Sequence, residues 1–454
     1  MATSPSTTPQ APWNLLMVLA GNMLIDALEV SLALVALPTI SRDLDLSTTS
    51  AQWLVTGFAA GFGGLLLFGG RLVALFGRRR VYLVALVVFA LASLTGALTD
   101  SVGVLVATRF VKGACAALTA PTGMAVITSA FPEGAPRRRA VSVYTLFGAC
   151  GFSAGLLLSG ALTEIGWRWT FAFPGPAALL LFAAAKRLLP RDEPLGDEPR
   201  QWDAAGAIGL CSATLLLVYA LASGPGSGWS SPATLVALAL AALAAAAFVR
   251  AELTSPRPLL QLALLRHGPL LRSALGAAAL NGSYLGLLFL TTLQLQRQAG
   301  WSPWATGLAF LPSSLPLALT ALYSGRLVAR WGAPRMVAAG AAAAVLGDLL
   351  YPRGGDVRYA ADILPTMLLV GTAFVLTFTA LHLQATGSLA AESRPAASGL
   401  YQTSVQLGAA LTVALTAALS TGGRGPALLL ITGVGTVGLL VALSGLRGRR
   451  TVPA

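Results

Sequence analysis

The sequence predicts an all-α integral membrane protein of fourteen transmembrane helices: two pseudo-symmetric six-helix bundles with two extra helices between them. The first sign is an eleven-residue phrase that occurs twice. It reads Gly-Arg-Leu-Val-Ala-Leu-Phe-Gly-Arg-Arg-Arg from Gly70 to Arg80 and Gly-Arg-Leu-Val-Ala-Arg-Trp-Gly-Ala-Pro-Arg from Gly325 to Arg335, with seven positions identical. Each copy is a short, basic, glycine-bounded loop between two long apolar runs, so its recurrence implies two related halves. Composition points the same way: of 454 residues 56% are apolar and only 10% charged, too few polar side chains to cover a water-soluble fold of this length. The third sign is the alternation of basic residues along the chain. Loops after even-numbered spans and the C-terminal tail hold 22 of the 30 Lys and Arg residues, and loops after odd-numbered spans hold 6.

Crossing a ~30 Å hydrocarbon core takes about 20 apolar residues at a rise of ~1.5 Å each. Residues 1–13 form a polar, Pro-rich tail, and the apolar run behind it, 14–40, is too long for a signal-peptide core and lacks its cleavage site, so it is a retained first span. Runs at 50–75, 81–99, 102–131, 139–165 and 168–189 complete an N-terminal bundle over 14–190. A linker rich in Pro and charge, 191–203, leads to two spans near 204–223 and 232–251, an insertion over 204–251, and a second linker covers 252–270. Runs at 271–296, 304–329, 335–351, 360–387, 396–420 and 426–446 make the C-terminal bundle, 271–446, before a tail at 447–454.

The bias of basic residues toward alternate loops places both termini in the cytoplasm. The net charge of +13 therefore reads as membrane topology; the basic residues form no stripe with interleaved aromatics, which excludes a nucleic-acid partner. Arg supplies 28 of the 30 basic residues and Ala, Gly, Leu and Pro are abundant, the composition of a GC-rich bacterial genome, so the expected membrane is the bacterial plasma membrane. Cys115, Cys150 and Cys211 fall inside spans without ligand spacing and read as packing residues, with no metal site. No G-x-x-x-x-G-K-S/T phosphate loop and no Ser/His/Asp set is present. The chain is expected to be no enzyme, to have no catalytic residue or cofactor, and to use no ATP; energy comes from an ion gradient or there is none.

The loop phrase resembles the signature of the major facilitator superfamily, G-x-L-a-D-r-x-G-r-R/K, through Gly70, Leu72, Gly77, Arg78 and Arg79. Ala74 stands at the signature's Asp and Leu75 at its first Arg, which implies a different latch between the bundles. The first span, Glu29 to Pro38, is similar to the D-x-T-x-x-N-x-A-L-P element of the fourteen-span drug:proton antiporter family. Glu29 takes the acidic position, Ser31 and Leu34 replace Thr and Asn, and Ala36, Leu37 and Pro38 match. The Gln52-Trp53 pair is also characteristic, and Arg109 to Gly113 resembles R-x-x-q-G with Lys112 for Gln. Gly151, Gly155 and Gly160 resemble the antiporter element of the fifth span, with Leu156 where Pro is expected and Ser159 where Gly is; Gly307 to Pro312 and Ala397 to Gly408 extend the likeness over essentially the whole chain. The resemblance implies a monomeric secondary transporter that exports a small amphipathic drug, antibiotic or secondary metabolite in exchange for protons by alternating access. Uptake or facilitated diffusion, and a non-transporting sensor or lipid-handling protein of the same fold, are the alternatives.

Charges inside the spans identify the expected coupling residues. Asp26 and Glu29 in the first span and Arg109 and Lys112 in the fourth form two i,i+3 pairs, each on one helix face. Four charges left in lipid at mid-bilayer would cost on the order of 10 kcal/mol, so they should face an interior cavity and one another. Helix rise puts Glu29 roughly level with Arg109, and Asp26 roughly level with Lys112. Either carboxylate could take up a proton and release it when a cationic or polar substrate, or Arg109, approaches; a permanent salt-bridge cluster that fixes helix packing is the other reading. Asn22, Asn281, Tyr284, His382, Gln402 and Gln406 could line a substrate cavity or could simply bond between helices. Gly57, Gly61 and Gly64 should let helices approach closely.

Overall fold

The computed structural model describes residues 12–192, 204–255, 262–352, 358–390 and 393–447, and every regular element among them is a helix. The tails at 1–11 and 448–454, and the linker residues 193–203 and 256–261, lie outside the described residues. The first half comprises α1 (Trp13–Asp43), α2 (Thr48–Ala51), α3 (Trp53–Phe76), α4 (Arg78–Leu98), α5 (Val102–Ala130), α6 (Ala135–Ile165), α7 (Arg168–Ala172) and α8 (Pro174–Leu188). Next come α9 (Ala204–Ser227) and α10 (Pro232–Thr254). The second half comprises α11 (Gly268–Leu293), α12 (Pro303–Ala309), α13 (Leu311–Thr320), α14 (Ser324–Trp331), α15 (Ala333–Leu350), α16 (Leu364–Thr386), α17 (Arg394–Ser420) and α18 (Arg424–Arg447).

Twelve helical stretches among the described residues are long and apolar enough to cross a membrane. Two of the fourteen expected spans depart from that template. The span at 204–223 forms α9, whose described apolar stretch, Ile208–Leu221, is short. The span at 304–329 is broken into α12, α13 and α14: Pro312 in the first turn of α13 removes a backbone donor and crowds the preceding turn at the first break, Pro316 lies inside α13, and residues 321–323 form a turn before α14.

The repeated phrase makes the same turn twice. Gly77 and Gly332 both have left-handed backbone, φ 87° and 80°, which a residue with a Cβ adopts only under strain. The Gly77 N–H donates to the Val73 carbonyl at 3.0 Å and the Gly332 N–H to that of Val328 at 2.9 Å, ending α3 and α14 just as α4 and α15 begin. Packing repeats as well: α1 lies on α6, and α3 and α4 on α5, in the first half; α11 lies on α17, and α13 and α15 on α16, in the second. Glycines permit this closeness, since a Cβ at Gly61 would collide with the Phe110 carbonyl and one at Gly113 with the Phe58 carbonyl.

Between the halves, α3 runs along α17, and α6 meets α12 and α13. The inserted α9 pairs with α10 and lies over the seam of α3 and α17, where Ala59, Val218, Ala410 and Ala414 form a small buried cluster. At the end of the bundles that carries Asp43, the halves are tied by polar contacts. Gln296 Nε2 donates to the Val35 carbonyl at 2.9 Å, Arg297 Nη1 to Thr48 Oγ1 at 3.0 Å, and the Trp304 N–H to Glu164 Oε1 at 3.1 Å. At the opposite end Asp192, just past α8, accepts from the N–H groups of Arg79 at 3.0 Å and Arg80 at 3.4 Å. An acidic side chain thus does sit at the signature loop, supplied from the start of the linker and stabilising the N-terminus of α4.

Candidate ion-coupling site

The site begins with the crossing of α1 and α5. The i,i+3 spacing on α5 puts Arg109 and Lys112 on one face, and α1 presents Glu29 to both. Glu29 Oε2 accepts from Arg109 Nη1, and Glu29 Oε1 lies 2.5 Å from Lys112 Nζ. Arg109 also donates to backbone: Nη2 to the Glu29 carbonyl at 2.8 Å and Nε to the Leu54 carbonyl at 2.7 Å. All three side chains are at most 1% exposed, so this is one carboxylate shared by two cations inside the bundle. Aromatic faces complete the enclosure, with Arg109 Cζ 4.9 Å from the Phe58 ring centre and Lys112 Nζ 5.3 Å and 5.5 Å from those of Phe89 and Phe171.

Asp26 departs from its expected partner. Its Oδ2 accepts from Asn22 Nδ2 at 2.9 Å and from Thr119 Oγ1 at 2.8 Å, two turns of α5 beyond Lys112. Lys112 instead reaches along its flexible stem to Glu29. Among the described residues no cation pairs with Asp26, although it is only 3% exposed. The two carboxyls therefore have different chemistry. Neutralising Glu29 would strand two buried cations, whereas Asp26, held by neutral donors, can gain or lose a proton without unpairing either.

Of the residues expected to line a cavity, Asn22 belongs to this site and the others fall elsewhere. Tyr284 joins an aromatic cluster between the halves, its ring centre 5.6 Å from that of Phe152 on α6 and 4.4 Å from that of Phe374 on α16, and its hydroxyl is 3.2 Å from Ser313 Oγ. Asn281 donates to the Val405 carbonyl at 3.1 Å, a bond between α11 and α17. Gln406 is buried on α17 with Oε1 lacking a partner among the described residues, and Gly63 of α3 packs against its Cβ. Gln402, one turn earlier, is half-buried. His382, also half-buried, stands edge-on to Tyr401 at 5.4 Å, so it is not brought to the charged site.

A small apolar cavity between the halves adjoins the charges; Val30, Phe58, Ala59, Leu285, Ala409 and Val413 are among its walls. Val30 follows Glu29 in sequence and Phe58 stacks on Arg109, so one wall of the cavity is also the cover of the ion cluster. The fifth-span glycines serve the same junction. Gly151 and Gly155 meet the backbone of α1 at Leu24 and Leu28, and Gly160 meets α12 at Pro303 and Trp304. In the signature loop, Arg78 Nη1 donates to Ser129 Oγ at 3.4 Å and Arg79 Nη2 to the Lys186 carbonyl at 2.6 Å. Sequence reasoning missed Thr119 and Phe58, which nothing distinguishes from ordinary span residues. It also missed Asp348, a further buried charge, because its position near the end of a predicted span reads as interfacial.

Two helical halves repeating one loop, with buried charges at a helix crossing, define a membrane transporter of the secondary type. Residues 19–413 match the Major Facilitator Superfamily, and the chain belongs to it. The chain is 35% identical over 420 residues to a puromycin resistance protein of Streptomyces alboniger, covering 91% of this chain and 82% of that one. It is 34% identical over 442 residues to a cephamycin export protein of Amycolatopsis lactamdurans, covering 95% and 87%. The multidrug resistance protein Stp of Mycobacterium tuberculosis is 33% identical over 393 residues, with 86% and 72% covered. Among solved structures the nucleoside transporter NupG superposes with a TM-score of 0.63 over 96% of this chain and 100% of that one, at 11% identity, a likeness of fold. The protein is a transporter and not an enzyme.

Proposed function

We propose that this protein exports a small amphipathic antibiotic or related compound across the bacterial plasma membrane in exchange for protons. The observation that carries the coupling is the division of labour among the buried charges. Asp26, bonded only to neutral donors, exchanges the proton, and Glu29 holds Arg109 and Lys112 until the movement of α1 against α5 or an arriving substrate loosens that pairing. The names of the relatives, which speak of resistance and export, support the direction.

In this reading the chain crosses the membrane fourteen times, with the broken α12 to α14 and the helix α9 as spans, both termini are cytoplasmic, and one chain suffices for transport. The Asp43 end then faces outward and is shut, so substrate arrives from the cytoplasm or the inner leaflet and meets the apolar cavity beside Phe58.

Reconstituted protein tests the coupling directly. Addition of puromycin, the compound in one relative's name, should release protons from wild type, and Asp26→Asn should release markedly fewer while still binding. Equal release from wild type and Asp26→Asn would remove Asp26 from the mechanism; equal release from Glu29→Gln as well would remove the whole cluster. For direction, cells making the protein should accumulate less ethidium than cells without it, and greater accumulation would reverse the assignment.

A further inference from the structure

Among the described residues of the second half, one acidic side chain is buried, and the coupling cluster does not use it. Asp348 lies near the end of α15 and is 2% exposed. Among the described residues its Oδ2 has no hydrogen-bond partner and no ion pair reaches it. It faces Gly435 of α18: an ideal Cβ built there would sit 3.1 Å from Oδ2, 3.4 Å from Val345 and 4.0 Å from the hydroxyl of Ser283. Ser283, Ala341, Ala344, Thr377, Gly435 and Gly438 are among the walls of an internal cavity here, enclosed by α11, α15, α16 and α18.

The charged and titratable groups on the helices packed against α15 are occupied or distant. Tyr284 of α11 bonds Ser313, His382 of α16 stacks on Tyr401, and Tyr351 donates to Gln294 Oε1 at 2.6 Å. Arg272 of α11 lies against Gly445, ten residues and roughly 15 Å of helix from Gly435. Arg424 begins α18 eleven residues, roughly 16 Å of helix, the other way, and Arg335 at the start of α15, with Arg330 of α14 beyond it, is thirteen residues, roughly 20 Å, from Asp348.

A carboxyl in such a place is compatible with a membrane interior only when a cation accompanies it. A metal ion would need several further ligands, and among the described residues no group of three or more His, Cys, Asp or Glu side chains could hold one; the Ser283 hydroxyl near Gly435 already donates to the Leu280 carbonyl at 3.2 Å. A proton needs none. The repeat also separates this residue from the first cluster: Asp348 stands sixteen residues after Gly332, where the first half places Ser93 after Gly77. The acid therefore belongs to the second half alone.

We propose that Asp348 is a second proton-binding site, located inside the second bundle, that gives up its proton to water when α15 and α18 part during the transport cycle. The O–H bond breaks heterolytically and the carboxylate is re-protonated from the other side of the membrane. This rests on the proton-coupled reading above and adds a second exchangeable proton to it.

Infrared difference spectra of the reconstituted full chain between acid and alkaline pH read a buried carboxylic acid directly, through its C=O stretching band. One such band should vanish in Asp348→Asn, survive in Asp26→Asn and in Glu29→Gln, and return, shifted, in Asp348→Glu. Proton release per molecule of puromycin should fall about twofold in Asp348→Asn. A full set of bands in Asp348→Asn, or a band that follows sodium concentration at constant pH, would overturn the assignment. So would loss of the band with unchanged proton release, which makes the proton a static one. If wild type itself releases no protons, the proton-coupled reading fails first; if wild type releases them and Asp348→Asn releases as many, only the second site fails.

Discussion

Glu29 is the residue whose removal should be felt most, because it is the only carboxylate bonded to Arg109 and Lys112 among the described residues. Breaking a buried ion pair by deleting one partner leaves a charge without compensation, typically worth about 3–5 kcal/mol. Glu29→Ala should therefore lower the thermal midpoint of the purified protein strongly, whereas Lys112→Met should be milder, since Glu29 keeps Arg109 and a methionine fits between Phe89 and Phe171. A midpoint for Glu29→Ala equal to that of wild type would show that the cluster does not hold α1 to α5. The residue types and their i,i+3 spacing were legible in the sequence, as was the Glu29–Arg109 pairing, because helix rise alone sets depth. Asp26's pairing with Thr119 was not, since a lysine stem long enough to bypass one turn can choose between two acids at different levels.

Helix pairs in this protein approach through glycine, and the most exacting contact is that of α3 with α5. Gly113 faces the Phe58 carbonyl with no room for a methyl group, and both Lys112 and the aromatic cover of Arg109 flank that point. Gly113→Ala should push the helices apart at a cost of about 1–3 kcal/mol, with transport falling more than protein level in the membrane. Transport at the wild-type rate would mean that the α3–α5 spacing is not part of the coupling geometry. A second element-scale test concerns Asp192, which caps α4 from the start of the linker. Asp192→Ala frees two backbone donors and should cost about 1 kcal/mol, read as a lower thermal midpoint, while Asp192→Asn, with one acceptor oxygen, should keep the bond from Arg79 and lose less. That cap could not be read from the signature loop, because the acid comes from more than a hundred residues away and only folding brings it there.

The whole molecule is tied at one end and must open there to complete a cycle. Thr48 and Arg297 belong to different halves and their side chains meet at 3.0 Å, so cysteines at the two positions should be joined by a short bifunctional thiol reagent. The joined protein should still bind puromycin but carry out no net transport, whereas reagent-treated wild type, with Cys115, Cys150 and Cys211 only, should be unaffected. Continued transport by the joined protein would mean that the two halves do not separate at the Asp43 end. The insertion adds a constraint at the same scale. By lying on both α3 and α17, α9 spans the two halves, so any rocking of one against the other must slide α9 along at least one of them.

The sequence by itself determined the helical class, the two related halves and the segment boundaries to within a few residues, because apolar length and the repeated loop are local properties that a bilayer reads directly. It also determined which four charges had to be buried in the first half. Only the tertiary structure decided how those charges are shared, that the span at 304–329 is broken, that Asp192 bonds the first N–H groups of α4 beside the signature loop, and that Asp348 is enclosed. Each of these depends on what a distant segment places beside a residue, and burial, hydrogen bonding and charge compensation are properties of that neighbourhood.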